Sequence, residues 1–189
     1  MNNKNMELTT FAAGCFWCVE AVFSQLDGVL SVKPGYTGGN KANPSYEEVC
    51  TGLTGHAEVC LIEFDPNRIS YDELLEVFWR THDPTTPNRQ GEDIGTQYRS
   101  VVFYHNEEQK LKAEGYKSKL NEAKVFDNPI VTEIVPATDF YLAESEHHNY
   151  FNNNSEKPYC KFTIIPKLNK FKYIFADKLK KTDYPEKGK

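Results

Sequence analysis

The sequence is poor in long apolar runs and shows no excess of basic residues. Its 189 residues are 39% hydrophobic, yet no apolar stretch approaches the roughly 20 residues that a transmembrane helix needs. The formal net charge is −5, so no basic stripe favours a nucleic-acid partner. The opening residues also lack the apolar core of a signal peptide. We therefore expect one cytoplasmic domain over residues 1–189, a monomer without a membrane or nucleic-acid partner, with flexible ends at 1–7 and 180–189.

A second cysteine pair at zinc-binding spacing is also missing. A structural zinc site needs a second close pair beside Cys15 and Cys18, and the sequence has none. The cysteines are an odd number in a chain too large to need disulfide staples: Cys15, Cys18, Cys50, Cys60 and Cys160. We therefore expect reduced thiols, no metal and no cofactor.

Strand and helix signals alternate along the chain. Apolar or alternating runs predict strands at residues 8–13, 29–32, 56–65, 100–104 and 130–135, and helical spacing predicts helices at 19–26, 70–79 and 107–124. The glycine- and proline-rich stretch 34–46 is predicted to be a loop, and the pattern weakens beyond Tyr141. The order of elements predicts an α+β fold, a two-layer ferredoxin-like split βαβ sandwich with a loop-rich C-terminal segment.

The stretch G-C-F-W-C-V-E places two cysteines where a strand runs into a helix. Buried cysteines often act only as small apolar side chains, so one interpretation is simple packing. A thiol at a helix N-terminus also meets unpaired N–H groups, which favour the thiolate and would lower the pKa of Cys15. Cys18 lies one turn further on, as a second thiol that closes a disulfide would. A general disulfide oxidoreductase and a non-enzymatic redox sensor or protein-binding module are the alternatives to a dedicated enzyme.

The same stretch resembles the active-site motif of the A-type peptide methionine sulfoxide reductases. Further segments resemble that family in the same order, over roughly residues 8 to 160: G-Y-T-G-G, N-P-S-Y-E-E-V-C-T-G, T-G-H-A-E-V, H-D-P-T-T, G-T-Q-Y-R-S-V-V-F and T-E-I-V-P-A. The resemblance implies reduction of methionine S-sulfoxide, free or in proteins, with thioredoxin as reductant.

The resemblance also implies roles for individual residues. Cys15 matches the nucleophile, and Phe16 and Trp17 match the pocket for the substrate's methyl group. Glu58 matches the acid that protonates the sulfoxide oxygen. Tyr46 and Tyr98 match the residues whose hydroxyls bind this oxygen. Asp93 matches the carboxylate that positions the substrate backbone.

The chemistry of a sulfoxide explains why an acid is needed. Its oxygen is a poor leaving group until it is protonated or hydrogen-bonded, so an attacking thiolate needs a proton donor. Glu58 shares a predicted strand face with Cys60, Ile62 and Phe64. We expect this apolar setting to raise the pKa of Glu58, because burial disfavours the carboxylate.

The cysteine that resolves the sulfenic acid is left open. Many relatives have glycine at the position of Cys18 and a resolving cysteine in a Gly-Tyr-Cys context, whereas Cys160 lies in K-P-Y-C-K-F. Residues three apart on a helix lie roughly 5–6 Å apart at Cβ, so Cys18 is slightly favoured over Cys160. Cys50 and Cys60 are interpreted as core thiols. His56 and His82 are expected to make structural hydrogen bonds.

Overall fold

The computed structural model describes residues 6–181. The predicted flexible ends fall mainly on residues 1–5 and 182–189, which lie outside the described part. That the whole chain is one domain stays a prediction.

Eight strands and six α-helices are described within residues 6–181. The strands are β1 (Glu7–Ala13), β2 (Val29–Thr37), β3 (Ala57–Phe64), β4 (Arg89–Gln90), β5 (Asp93–Ile94), β6 (Ser100–Tyr104), β7 (Glu133–Pro136) and β8 (Tyr141–Leu142). The helices are α1 (Phe16–Phe23), α2 (Tyr46–Cys50), α3 (Tyr71–Thr81), α4 (Glu107–Glu122), α5 (Tyr150–Asn153) and α6 (Ile165–Ile174). A π-helical turn, Cys160–Ile164, leads directly into α6.

The main sheet has the order β7-β6-β1-β3-β2-β8. Each neighbouring pair among its four central strands is antiparallel. β3 lies between β1 and β2, the two strands that α1 joins. This arrangement is the split βαβ unit, so the predicted α+β fold is confirmed. The two outer strands extend it: β7 pairs parallel with β6, and β8 pairs antiparallel with β2.

The sheet separates a large apolar cluster from a small one. Glu58, Cys60, Ile62 and Phe64 lie on one face of β3 and are at most 1% exposed, as their alternation predicts. The large cluster on this face includes residues of α1, α3 and α6. Ala57 and Val59, on the other face of β3, pack in the small cluster. Glu58 is therefore a carboxyl group placed at the edge of the main core.

Two predictions of local structure were wrong. β2 continues to Thr37, into the predicted loop, instead of ending at Val32, and the loop ends where α2, which was not predicted, begins at Tyr46. Gly35 permits the strand because β8 approaches closely: a Cβ there would lie 2.4 Å from the ring of Phe140. α6 was also not predicted from the sequence. Its buried residues Leu168 and Phe171, with Phe175 just after it, nevertheless follow helical spacing.

Candidate active site

Cys15 lies at the junction between β1 and α1, as predicted. It is the N-cap of α1, it is 7% exposed, and its carbonyl accepts the N–H of Cys18 at 3.1 Å. Gly14 precedes it with a φ of +88°, and a Cβ at Gly14 would lie 2.7 Å from the side chain of Gln90. Glycine therefore permits both the turn and the close packing that bring the thiol to the helix start.

Glu58 reaches this helix start from β3. Its Oε2 accepts the backbone N–H of Phe16 at 3.0 Å, and the residue is 1% exposed. Burial raises the pKa of Glu58 to about 8, although the bond from Phe16 opposes the shift. The carboxyl group is therefore mostly protonated at neutral pH and can act as an acid next to Cys15.

The pKa values of Cys15 and Cys18 differ from those that the helix N-terminus alone would produce. Burial raises the pKa of Cys15 well above its ordinary value, with further contributions from its hydrogen bond with Cys18 and from the charge of Glu58. That hydrogen bond, aided by Lys167 and opposed by burial, brings the pKa of Cys18 down to about 7. The prediction of a lowered pKa for Cys15 was wrong, because desolvation outweighs the helix terminus. The pair shares its protons, and Cys18 is the more readily ionised thiol.

The charge of Glu58 affects the pKa of both Tyr46 and Tyr98. Burial, followed by the charge of Glu58, raises the pKa of each tyrosine, so both hydroxyls keep their protons. Tyr46 is held by Glu144, whose Oε1 accepts its backbone N–H at 2.9 Å. The other oxygen of Glu144 accepts the hydroxyl of Tyr36 at 2.8 Å. Tyr36 and Glu144, which were not predicted from the sequence, therefore help to hold Tyr46 in place.

The rings of Phe16 and Trp17 lie next to each other, with centroids 6.4 Å apart, and their role as the pocket for the methyl group stays a prediction. The ring of Phe16 stacks on Tyr46 with centroids 6.4 Å apart. Trp17 stacks on Tyr150 with centroids 3.6 Å apart and an interplanar angle of 3°. Its indole Nε1–H donates to Nδ1 of His147 at 3.1 Å. A flat apolar surface with fixed orientation therefore lies beside the thiols.

A buried carboxylate attaches this apolar surface to α1. Glu20 is 8% exposed, and its two oxygens accept the backbone N–H groups of Asn149 at 2.8 Å and of Tyr150 at 3.3 Å. These bonds place Tyr150 against Trp17. Glu20 was not singled out from the sequence, because its partners lie far away along the chain.

Asp93 lies on the other side of the thiols. Its Oδ2 accepts the hydroxyl of Tyr159 at 2.7 Å, and the same hydroxyl oxygen lies 3.7 Å from Sγ of Cys18. A cleft of about 260 Å³ opens here, lined by Cys15, Cys18, Gln90, Gly91, Glu92, Asp93, Tyr159, Phe162, Thr163 and Lys167. Tyr159 is a further site residue that the sequence did not reveal.

A family model described as peptide methionine sulfoxide reductase matches residues 7–179. The chain belongs to this family. The peptide methionine sulfoxide reductase MsrA of Sulfolobus acidocaldarius is 57% identical over 173 residues, which cover 92% of this chain and 97% of that protein.

Two solved structures of Mxr1 from Saccharomyces cerevisiae are similar to this chain. The reduced form has a TM-score of 0.78 and 36% identity, and covers 84% of this chain and 91% of that one. A structure of Mxr1 in complex with Trx2 has a TM-score of 0.55 and 27% identity, over 79% of this chain and 87% of that one.

The remaining cysteines of this family member differ in exposure. Cys60 is buried in the core, as expected, and its thiol donates to the carbonyl of Phe16 at 3.5 Å. Cys50 is exposed, so its interpretation as a core thiol was wrong: it ends α2 on the side away from Val49, which is buried. Cys160 is fully buried in the π turn. After burial, the charge of Cys18 contributes to the raised pKa of Cys160.

His56 and His82 have structural roles, as expected. Nδ1 of His56 accepts the N–H of Gly39 at 3.1 Å. His82 bridges the carbonyl of Phe78 and the hydroxyl of Ser100. Within residues 6–181, no group of three His, Cys, Asp or Glu side chains is arranged to hold a metal ion. No helix in this part of the chain is long and apolar enough to cross a membrane.

The protonation of Glu58 gives a direct prediction. We expect its carboxyl to titrate near pH 8, because burial disfavours its ionised form. The exposed Glu48 should titrate below its ordinary pKa, because the N–H of Ser45, followed by Lys41, stabilises its carboxylate. Carbon-13 NMR of labelled glutamate side chains measures both groups in one sample. Titration of Glu58 together with the exposed glutamates would contradict the assignment.

Proposed function

We propose that this chain reduces methionine S-sulfoxide, free or in proteins, to methionine, with thioredoxin as the final reductant. The carrying observation is a protonated carboxyl group, Glu58, bonded to the N–H of the residue that follows Cys15. A dedicated acid beside a thiol suits a reaction in which oxygen must leave sulfur. A general disulfide oxidoreductase has no use for this acid.

In the first step, Cys15 attacks the sulfoxide sulfur while Glu58 supplies a proton to the oxygen. The oxygen passes to Cys15, which becomes a sulfenic acid, and the substrate leaves as methionine. Cys15 loses two electrons and the substrate sulfur gains them. Tyr46 and Tyr98 hold their hydroxyl protons and donate hydrogen bonds to the oxygen, while Phe16 and Trp17 hold the methyl group. Asp93 positions the substrate backbone.

Because Glu58 is mostly neutral near pH 7, it adds little negative charge beside Cys15 when the thiolate forms. The charge of ionised Glu58 is one of the causes that raise the pKa of Cys15, and this contribution is small while Glu58 keeps its proton. The acid form of Glu58 therefore favours formation of the Cys15 thiolate more than the ionised form does.

In the second step, the thiolate of Cys18 attacks the sulfenic sulfur, and the oxygen leaves as water after taking up a proton. Cys18 suits this step because its pKa is about 7 and it is hydrogen-bonded to Cys15. Cys160 follows as a relay: its thiol attacks Cys18, a Cys18–Cys160 disulfide forms, and Cys15 returns to the thiol form. The structure of a relative, Mxr1 in complex with Trx2, supports thioredoxin as the dithiol that reduces the last disulfide.

We further propose that the protein works as a monomer in the cytoplasm. The five cysteines are all unpaired, as a reducing compartment would keep them.

Replacing the nucleophile tests the first step. Cys15→Ser should abolish reduction of the S-epimer of a methyl sulfoxide with dithiothreitol, because the hydroxyl is a far weaker nucleophile. Cys50→Ser is the matched control and should retain turnover, since Cys50 is exposed and serine keeps a hydroxyl for Tyr46. Sustained turnover by Cys15→Ser would reject the assignment, and efficient reduction of the R-epimer would reject the proposed substrate.

Removing the acid tests the role of Glu58. Glu58→Gln should slow single-turnover formation of methionine by ~100- to 10,000-fold, the usual cost of losing a general acid. The amide keeps the shape of the side chain and an oxygen for the N–H of Phe16, so the unfolding midpoint should change little. In the wild type, the rate of this step should fall as the pH rises through about 8, the pKa of Glu58, since the active form is the protonated one. An unchanged rate in Glu58→Gln would remove this residue from the mechanism.

Disulfide mapping identifies the resolving thiol. After one equivalent of sulfoxide, Cys160→Ser should form a Cys15–Cys18 disulfide at the normal rate and lose thioredoxin-supported turnover. Cys18→Ser should accumulate the sulfenic acid. A Cys15–Cys160 disulfide formed at the normal rate in Cys18→Ser, with full recycling, would show that Cys160 resolves directly.

A further inference from the structure

Tyr159 has one hydroxyl proton and three polar neighbours, the carboxylate of Asp93 and the thiols of Cys15 and Cys18. The 2.7 Å hydrogen bond to Asp93 takes this proton, since a carboxylate is an acceptor only. Toward Sγ of Cys18, 3.7 Å away, the hydroxyl oxygen is then left as an acceptor. The ring also meets Trp17 edge-on, with centroids 5.6 Å apart. Tyr159 is thus fixed in the cleft beside the thiol pair by a charge-assisted hydrogen bond and an aromatic contact.

The neighbouring residue in the chain is Cys160, which is held out of this cleft. Tyr159 has helical backbone angles immediately before the π turn Cys160–Ile164. Successive side chains on a helix diverge by about 100°, because a helix has 3.6 residues per turn. With Tyr159 in the cleft, Cys160 is turned away and is fully buried in the apolar cluster. The two side chains therefore cannot occupy the cleft together.

The π turn provides a way to exchange them. A π turn holds one residue more than the α-helical turn, and such turns occur mostly at functional sites. If Cys160–Ile164 converts to α-helix, the residues before this turn rotate by about 100° about the axis of α6. This rotation equals the angle between adjacent side chains on a helix. Such a change cannot occur while Tyr159 stays bonded to Asp93.

We propose that Tyr159 is a positioning residue whose hydrogen bond to Asp93 keeps Cys160 buried in the reduced protein, and that this bond must break before Cys160 reaches Cys18. The inference rests on the proposed function only in naming Cys160 as a relay thiol. As long as the bond persists after the sulfenic acid has formed on Cys15, it prevents Cys160 from competing with Cys18 for the sulfenic sulfur. The thiols therefore react in a fixed order.

The test measures the accessibility of Cys160 in the reduced protein without any sulfoxide. Native-state alkylation by N-ethylmaleimide, mapped by mass spectrometry over time, gives a separate rate for each cysteine. Tyr159→Phe should raise the rate at Cys160 by about tenfold or more, the expected effect of losing a hydrogen bond to a charged group. Asp93→Ala should raise it equally, and the double variant should add nothing further. Because no turnover is involved, this result is independent of the proposed activity.

Two controls separate the proposal from general loosening of the fold. Cys60 is as fully buried as Cys160, so its alkylation rate should stay unchanged in every variant. Tyr173→Phe removes an exposed hydroxyl from α6 and should leave Cys160 protected. The proposal is overturned by an unchanged rate at Cys160, by equal increases at Cys60 and Cys160, or by additive effects of the two substitutions. If Tyr159→Phe fails to fold, Asp93→Ala alone decides between these outcomes.

Discussion

The hydrogen bond from the N–H of Phe16 to Oε2 of Glu58 connects the helix start that carries Cys15 with the carboxyl group proposed as the acid. It satisfies one of the free N–H groups at the start of α1, and it places a carboxyl group from β3 beside the thiol at the N-cap. The bond exists only because β3 lies beside β1 in the sheet and α1 packs on the same face. The split βαβ topology thus positions the carboxyl group of Glu58, and the antiparallel register of β2 and β3 pairs Glu58 with the buried Tyr36.

Burial then determines the charges of the site. In water, Glu58 would be ionised and Cys15 would be a thiol at neutral pH. In the core, desolvation raises the pKa of both groups, so the acid keeps its proton while the thiol loses reactivity. The hydrogen bond between the two thiols contributes to the raised pKa of Cys15 and lowers the pKa of Cys18 to about 7. One negative charge is therefore available to the thiol pair although its surroundings are apolar.

The sequence was informative where the site depends on local pattern. Alternation along β3 predicted that Glu58 shares a face with Cys60 and Ile62, and the glycine before Cys15 predicted a thiol at a helix start. The supporting contacts could not be predicted in this way. Glu144 holds Tyr46, Glu20 holds Tyr150, and Asp93 holds Tyr159, over separations of 98, 130 and 66 residues. No periodicity relates such partners, and each carboxylate alone is typical of an exposed side chain. α6 was missed for another reason: its apolar positions follow a proline and are mixed with lysines.

These three carboxylates also explain how the C-terminal segment is attached. Residues 144–160 cover the thiols, and α5 is short and has no buried residue, so the segment packs mainly through partly buried aromatic rings such as Tyr150 and Tyr159. It is also held by Glu20 on α1, by Glu144 within the segment itself and by Asp93 on β5, through bonds to backbone N–H groups and to tyrosine hydroxyls. Hydrogen bonds each contribute modestly to stability, so elements held by them open more readily than elements packed in a core. In the proposed mechanism, the sheet and the start of α1 carry the nucleophile and its acid, whereas the segment proposed to release Cys160 is attached partly by hydrogen bonds that can break one at a time.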